Sequence, residues 1–234
     1  MGSYRSGQAS TGPRRLSPYD VGGDGQTSDG ARGYHMYSQS AVFLDRDGVL
    51  VEDVGLLTEP AQVRLEADVP DALRRLHHAG FALIAVTNQT VVSRGRATID
   101  EVAAVHAHID RLIQEAGGPA LDAWYVCPHH PEATVAAYRV ECECRKPRPG
   151  LLRTAATDHR LDLRRSFMVG DRITDVVAGH AAGCTTIQLR RGAYEAPPIV
   201  VVDPLPPIEP DHGCDDLGQA ADWIVAMTQC ALSS

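Results

Sequence analysis

The sequence predicts an α/β domain: a parallel sheet with helices on both faces. Short apolar runs at 41–44, 81–86, 124–126, 167–169 and 185–189 alternate with segments of helical periodicity, the order that builds βαβ units. The first four are continuously apolar, as in strands covered on both sides. Three of them end in polar side chains: Asp45 and Asp47, Thr87 and Asn88, and Asp171. A parallel sheet brings such groups to its carboxyl edge, where α/β folds place their sites.

The elements follow in order. The strand Ala41–Leu44 ends in Asp45-Arg46-Asp47-Gly48, and an acidic loop runs on to Ala67. Asp68 is placed to cap a helix that has Pro70 in its first turn and Gly80 as its stop. Phe81–Val86 is the next strand. Thr98 and Glu101 fit a capping box, and Ile99, Val102, His106, Ile109, Leu112 and Ile113 then recur at helical spacing up to Gly117-Gly118. Trp124–Val126 is a strand leading into a cysteine-rich segment. Pro149 opens a helix that runs to His159. Phe167–Val169 is a strand, followed by a helix at 174–182 and a strand at 185–189. A Pro-rich stretch at 197–210 precedes a last apolar segment around Trp223–Met227, whose periodicity fits strand or helix.

The chain has 234 residues, with 44% hydrophobic and 22% charged, a balance that supports one globular domain. Residues 1–40 are rich in Gly, Ser, Arg and Asp and are expected as a flexible tail, leaving 41–234 as the domain. The tail has no apolar core of a secretory signal, and no run approaches the ~18 apolar residues of a membrane span. A net charge of −8 and a pI of 5.6 argue against a nucleic-acid or anionic-membrane partner. A cytoplasmic monomer is expected, where clustered cysteines signal metal more often than disulfides.

The strand-end residues suit phosphoryl transfer, which needs an in-line nucleophile, an acid for the leaving oxygen and positive charge around the phosphoryl group. Asp45 can be the nucleophile and Asp47 the acid and base. Asp45, the main-chain carbonyl of Asp47, and Asp171 can hold Mg²⁺. Thr87 and Lys146 can donate to the phosphoryl oxygens. Alone, Asp-x-Asp-Gly is equally a turn after a strand. The apolar strand before it, Thr87, Lys146-Pro147 and Gly170-Asp171 followed by Asp175 favour the catalytic reading. Asp175 fits either a helix-terminal or an outer metal role.

Cys127-Pro-His129-His-Pro131 and Cys142-Glu-Cys144 supply three thiolates and an imidazole, a set suited to tetrahedral Zn²⁺. All four positions are protein groups, so the site is expected to be structural. His130 competes with His129, which is favoured. The loop 127–144 ends at Arg145-Lys146, so zinc would position two cations.

FLDRDG, VTNQ, CRKP and VGDRxxD, in this order, resemble the four motifs of the haloacid dehalogenase (HAD) superfamily of phosphatases, over residues 41 to 190. The resemblance implies a Rossmann-like sheet, with Asp45 as nucleophile, Asp47 as acid/base, Thr87 and Lys146 on phosphate, and Asp171 on Mg²⁺. CPHHP, a long spacer and CECRKP resemble the zinc loop of the D-glycero-D-manno-heptose 1,7-bisphosphate 7-phosphatases. Ser93-Arg94-Gly95 after the TNQ motif is similar to that group as well. Histidinol-phosphate phosphatases resemble it with a shorter spacer. The family resemblance implies removal of a C7 phosphate through a phospho-aspartate, in nucleotide-activated heptose biosynthesis. It also implies a minimal cap, a small sugar bisphosphate as substrate, and substrate contacts at Asp53, Gly55, Asn88, Gln89, Thr90, Arg94, Arg145 and Arg172. The sequence departs from the family at Asp53-Val54-Gly55-Leu56, where Asp-His-Gly-Tyr is usual, at Thr90-Val91 and at Arg172, where Lys is usual.

Elsewhere the bland reading prevails. His77, His78, His106 and His108 are expected to be surface or packing residues, and Trp124 and Trp223 core. Cys184 is expected to be buried, Cys214 and Cys230 have no role, and Arg190-Arg191 are expected as a solvated strand end. A non-catalytic zinc-held scaffold is the alternative from another class.

Overall fold

The computed structural model describes residues 14–16, 39–191 and 208–232. In chain order its elements are β1 (Arg14–Leu16), β2 (Ala41–Leu44), α1 (Val69–His78), β3 (Ala82–Asn88), α2 (Thr90–Ser93) and α3 (Ile99–Glu115). Then come β4 (Ala123–Cys127), α4 (Gly150–His159), β5 (Phe167–Gly170), α5 (Ile173–Ala182), β6 (Thr185–Leu189), β7 (His212–Cys214) and α6 (Leu217–Leu232). One sheet runs β1-β4-β3-β2-β5-β6-β7. Its six strands from β4 to β7 are parallel, and β1 adds antiparallel to β4. The chain order reverses at β2, which lies between β3 and β5. That is the switch point where an open parallel sheet forms a crevice.

The apolar runs are continuous because both faces of the sheet are covered. Val42, Leu44, Leu83, Ala85 and Val169 pack into one core with α1, α3 and α6. Ala41, Phe43, Ile84, Val86 and Met168 pack into a second with α4 and α5. The pleat alternates these residues between the two cores. Val49, Leu50 and Val51, just past the Asp-x-Asp-Gly turn, are also fully buried, so the loop is anchored beneath its own polar tip. Between the strands, among the described residues, no segment forms a separate cap domain.

Local signals predicted most ends. In α3 the Thr98 hydroxyl accepts from Glu101 N (3.1 Å), and Thr98 N donates to a Glu101 carboxylate oxygen (2.7 Å). Asp68 stands at the head of α1 but does not cap it. Its carboxylate instead accepts from Gly218 N in the first turn of α6 (2.9 Å) and pairs with Arg191. Arg191 therefore departs from a solvated strand end: it is held by Glu66, Asp68 and the carbonyl of Val49. Arg190 is exposed beside Asp215.

The segment around Trp223–Met227 is helix, in α6. The short α2 and β7 carry no periodicity to announce them. β7 forms because β6 offers it an edge. His77 and His78 are exposed, whereas His106 is buried in the core. Trp124 and Cys184 are buried, and Trp223 is stacked on His212 against Phe167. Of the segment expected as a tail, Arg14–Leu16 pair with Trp124–Val126. The rest of it to Ser38 lies outside the described residues, as do 197–207 of the Pro-rich stretch. Among the described residues no helix is long and apolar enough to cross a membrane.

Candidate active site and metal centres

Three adjacent strands deliver the polar groups to one edge. Asp45 follows β2 and donates its main-chain N–H to the carbonyl of Val169 in β5 (3.0 Å). Thr87 and Asn88 end β3, and Gln89 N donates to the carbonyl of Cys127 at the end of β4 (2.8 Å). The turn after Asp45 needs Gly48. Its φ is +75°, a region L side chains avoid, and a Cβ there would lie 2.5 Å from Asp171 Oδ2. Gly170 is equally constrained: a Cβ would sit 2.2 Å from that of Asp175.

Asp45, Asp171 and Asp175 each offer a carboxylate oxygen within 4.8 Å of the others. Lys146 Nζ bridges two of them, 2.9 Å from Asp45 Oδ1 and 2.6 Å from Asp175 Oδ1, and donates to the carbonyl of Val86 (2.8 Å). Burial works to lower the Lys146 pKa, but Asp175 and Asp45 outweigh it and push it up to about 12. Burial, then the charges of Asp45 and Asp175, push Asp171 up to about 8. Asp175 rises to about 6, through burial opposed by Lys146. Three carboxylates against one ammonium leave two negative charges, the complement of one divalent cation. Asp171 Oδ1 is buried without a hydrogen-bond partner. An oxygen donor set with an orphaned oxygen and this charge fits Mg²⁺.

Both roles considered for Asp175 remain compatible with its position. It belongs to the carboxylate trio, and its Oδ2 accepts from Arg172 N at the head of α5 (3.1 Å). The Asp47 carboxylate is outside the trio. It is held instead by Arg46 Nε (3.0 Å) and Nη2 (2.7 and 2.8 Å), and by Gln89 Nε2 (3.2 Å). Any share of Asp47 in metal binding falls to its main-chain carbonyl.

Thr87 is buried and accepts from Gln89 Nε2 (2.8 Å). Two residues expected to contact substrate also bond within the protein. Asn88 clasps the Lys146 main chain, Nδ2 to its carbonyl (3.0 Å) and Oδ1 from its N–H (3.1 Å). Gln89 is buried and links Thr87 to Asp47. Arg172 Nη2 reaches Asp53 (2.6 Å), whose other oxygen accepts from Gly55 N (2.9 Å). The loop that departs from the family pattern is thereby tied beside Asp171, with Val54 and Leu56 exposed. Thr90 begins α2 and Arg94 ends it. Arg94 and Arg145 act together on His130, whose pKa is lowered by burial and then by Arg145, with Arg94 adding to it.

Cys127, His129, Cys142 and Cys144 form a second cluster within 4.8 Å. Cys127 Sγ lies 3.7 Å from Cys142 Sγ and 3.8 Å from His129 Nδ1; Cys144 Sγ lies 3.3 Å from both. Four ligands around zinc at tetrahedral angles stand about 3.8 Å apart for bonds of about 2.3 Å. Hydrogen bonds from Cys127 and Cys144 lower the Cys142 pKa, while those of Cys127 and Cys144 are raised, so the metal-free cluster favours a single thiolate. His129 is buried and points Nδ1 inward, whereas His130 Nδ1 accepts from Glu132 N (3.1 Å). The donor set fits zinc. Arg148 Nη1 and the carbonyl of Cys142 (3.1 Å) brace the loop.

Arg46, buried inside the Asp-x-Asp-Gly turn, and the clasp made by Asn88 are not announced by the sequence. The only signal for Arg46 was a long cation immediately after a strand buried on both faces.

A carboxylate-bearing turn after the central strand of a parallel sheet, met by a buried Lys–Asp pair, defines a HAD-type hydrolase. A family model described as HAD-hydrolase-like matches residues 143–220. A D-glycero-D-manno-heptose-1,7-bisphosphate 7-phosphatase of Thermosynechococcus vestitus is 39% identical, over 79% of this chain and 94% of that protein. The D-glycero-beta-D-manno-heptose-1,7-bisphosphate 7-phosphatase of Escherichia coli K12 is 35% identical, over 80% and 89%. The structure of D,D-heptose 1,7-bisphosphate phosphatase from B. bronchiseptica, complexed with magnesium and phosphate, matches with a TM-score of 0.66 and 28% identity, over 81% of this chain and 99% of that one. The chain belongs to the heptose-1,7-bisphosphate 7-phosphatase family.

Proposed function

We propose that this protein removes the C7 phosphate of a D-glycero-D-manno-heptose 1,7-bisphosphate, in nucleotide-activated heptose biosynthesis. The observation that carries the chemistry is the convergence of Asp45, Lys146, Asp171 and Asp175, with Asp47 alongside. Asp45 attacks phosphorus, the bond from phosphorus to the C7 oxygen breaks, and Asp47 gives its proton to that oxygen. Water then bonds to phosphorus while Asp47 takes its proton. The bond to Asp45 breaks, and phosphate leaves. Thr87 and Lys146 donate to the non-reacting phosphoryl oxygens. Mg²⁺, held by Asp45 and Asp171 with Asp175 beside them, supplies charge neutralisation for the crowded phosphate and carboxylates.

Arg94 and Arg145 suit the second phosphate, at C1, and Asp53 with Arg172 borders the sugar. Zn²⁺ on Cys127, His129, Cys142 and Cys144 is structural and orders the segment that carries Arg145 and Lys146. Those thiols must stay reduced to hold zinc, which supports a cytoplasmic location. The catalytic domain is 41–234, and Arg14–Leu16 add an edge strand to its sheet from the segment expected as a tail.

Phosphate release from both anomers of heptose 1,7-bisphosphate, other sugar bisphosphates and monophosphates, and histidinol phosphate, each with Mg²⁺, tests the reading. Preference for a heptose bisphosphate is expected, with Asp45→Asn inactive at unchanged zinc content. Preference for histidinol phosphate overturns the substrate, and silence on every phosphate overturns the enzyme.

A further inference from the structure

Arg46 carries a positive charge into the core. Its side chain is 1% exposed, and a buried guanidinium must find an anion. Asp47 is its one ion-pair partner among the described residues, gripped by Nε and Nη2 together. The main chain of Arg46 is fixed as well: its carbonyl accepts from both Leu50 N (2.9 Å) and Val51 N (3.1 Å).

The buried imidazole near Arg46 offers it no charge. His106, on α3, is fully buried and stacks on Trp124 at 4.0 Å and 11°. Neither of its ring nitrogens has a hydrogen-bond partner, and burial together with the Arg46 charge keeps the ring neutral. Asp110 is turned to the indole of Trp124, which donates to its Oδ2 (3.0 Å). The charge of Arg46 is therefore spent on Asp47. From the other side Gln89 joins Asp47 to Thr87. The Asp47 carboxylate is held by a two-pronged fork below and an amide beside it, while 21% of its side chain stays open to solvent.

We infer that Arg46 is a positioning residue whose buried fork fixes the orientation in which Asp47 exchanges its proton with the leaving oxygen and then with water. This rests on the phosphatase reading of the site. Arg46 itself never meets the substrate. Its contribution scales with the need for a proton: large for an alkoxide leaving group and small for p-nitrophenolate, which departs unprotonated. General acid–base catalysis is worth about 10²- to 10⁴-fold.

The test compares wild type, Arg46→Met, Arg46→Lys, Asp47→Asn and the Arg46→Met/Asp47→Asn double variant. The substrates are a sugar phosphate that wild type turns over and p-nitrophenyl phosphate. kcat/KM covers the steps through departure of the leaving group. Arg46→Met is expected to lose about 100-fold on the sugar phosphate and less than about 3-fold on the aryl phosphate, with Arg46→Lys between it and wild type. The double variant is expected to lose no more than Asp47→Asn, because the fork acts only through Asp47. Equal losses on the two substrates, or losses that multiply in the double variant, overturn the proposal. Zinc content and melting temperature verify folding, and if Arg46→Met does not fold, Arg46→Lys carries the same comparison. Wild type inactive on both substrates overturns the phosphatase reading instead.

Discussion

Lys146 Nζ lies 2.6 Å from Asp175 Oδ1 inside the protein, linking the segment after the cysteine loop to the first turn of α5. Lys146 is the one side-chain cation paired with the buried Asp175 carboxylate among the described residues, while the ammonium is shared with Asp45. Asp175→Ala leaves the ammonium with Asp45 alone, and loss of one partner from a buried pair costs about 3–5 kcal/mol. Denaturant unfolding of the metal-free protein is expected to show a loss of that size. A change below about 1 kcal/mol would contradict the pair's place in the core.

The carboxylate trio links metal binding to pH. Asp171 titrates near 8 and Asp175 near 6 in the folded protein, against an ordinary value of 3.8. Without metal, the folded state keeps protons that the unfolded chain releases, so stability falls as pH rises from the ordinary value towards 8. Mg²⁺ needs the ionised carboxylates, so its stabilisation grows over the same window. The rise in melting temperature with saturating Mg²⁺ is expected to be larger at about pH 8 than at about pH 5.5. A pH-independent rise would place Mg²⁺ elsewhere.

Zinc is expected at one ion per chain. Cys142→Ser removes a ligand that lies 3.3 Å from Cys144 and 3.7 Å from Cys127. Elemental analysis is expected to show zinc lost and scanning calorimetry a lowered melting temperature, because the loop has few apolar groups to order it. Turnover falls with it, since Arg145 and Lys146 directly follow the cluster. Full activity in zinc-free protein would separate the loop from the chemistry.

Arg172 and Asp53 meet at 2.6 Å and tie the 53–56 loop beside Asp171. Asp53→Ala releases both the guanidinium and the loop without touching Asp45 or Lys146. On the preferred sugar bisphosphate, KM is expected to rise several-fold with kcat within about 3-fold. A collapse of kcat at unchanged KM would assign the pair to the chemical step.

By itself the amino-acid order determined the features set by neighbours a few residues apart. The apolar runs identified strands covered on both faces, Thr98 and Glu101 formed the expected box, and Gly48 marked the turn after Asp45. Parallel strands share a direction, so Asp45, Thr87 and Asp171 had to reach one edge. The spacing of Cys127, His129, Cys142 and Cys144 marked the cluster for the same local reason. Only the tertiary structure decided where the long-range hydrogen bonds go. Asp68 serves α6 instead of its own helix, Asn88 holds Lys146, and Asp175 joins the carboxylates while Asp47 turns to Arg46. Such partners are selected by which strands and loops lie side by side and by how deeply each charge is buried. Both are properties of the packed sheet, and neither leaves a period in the sequence.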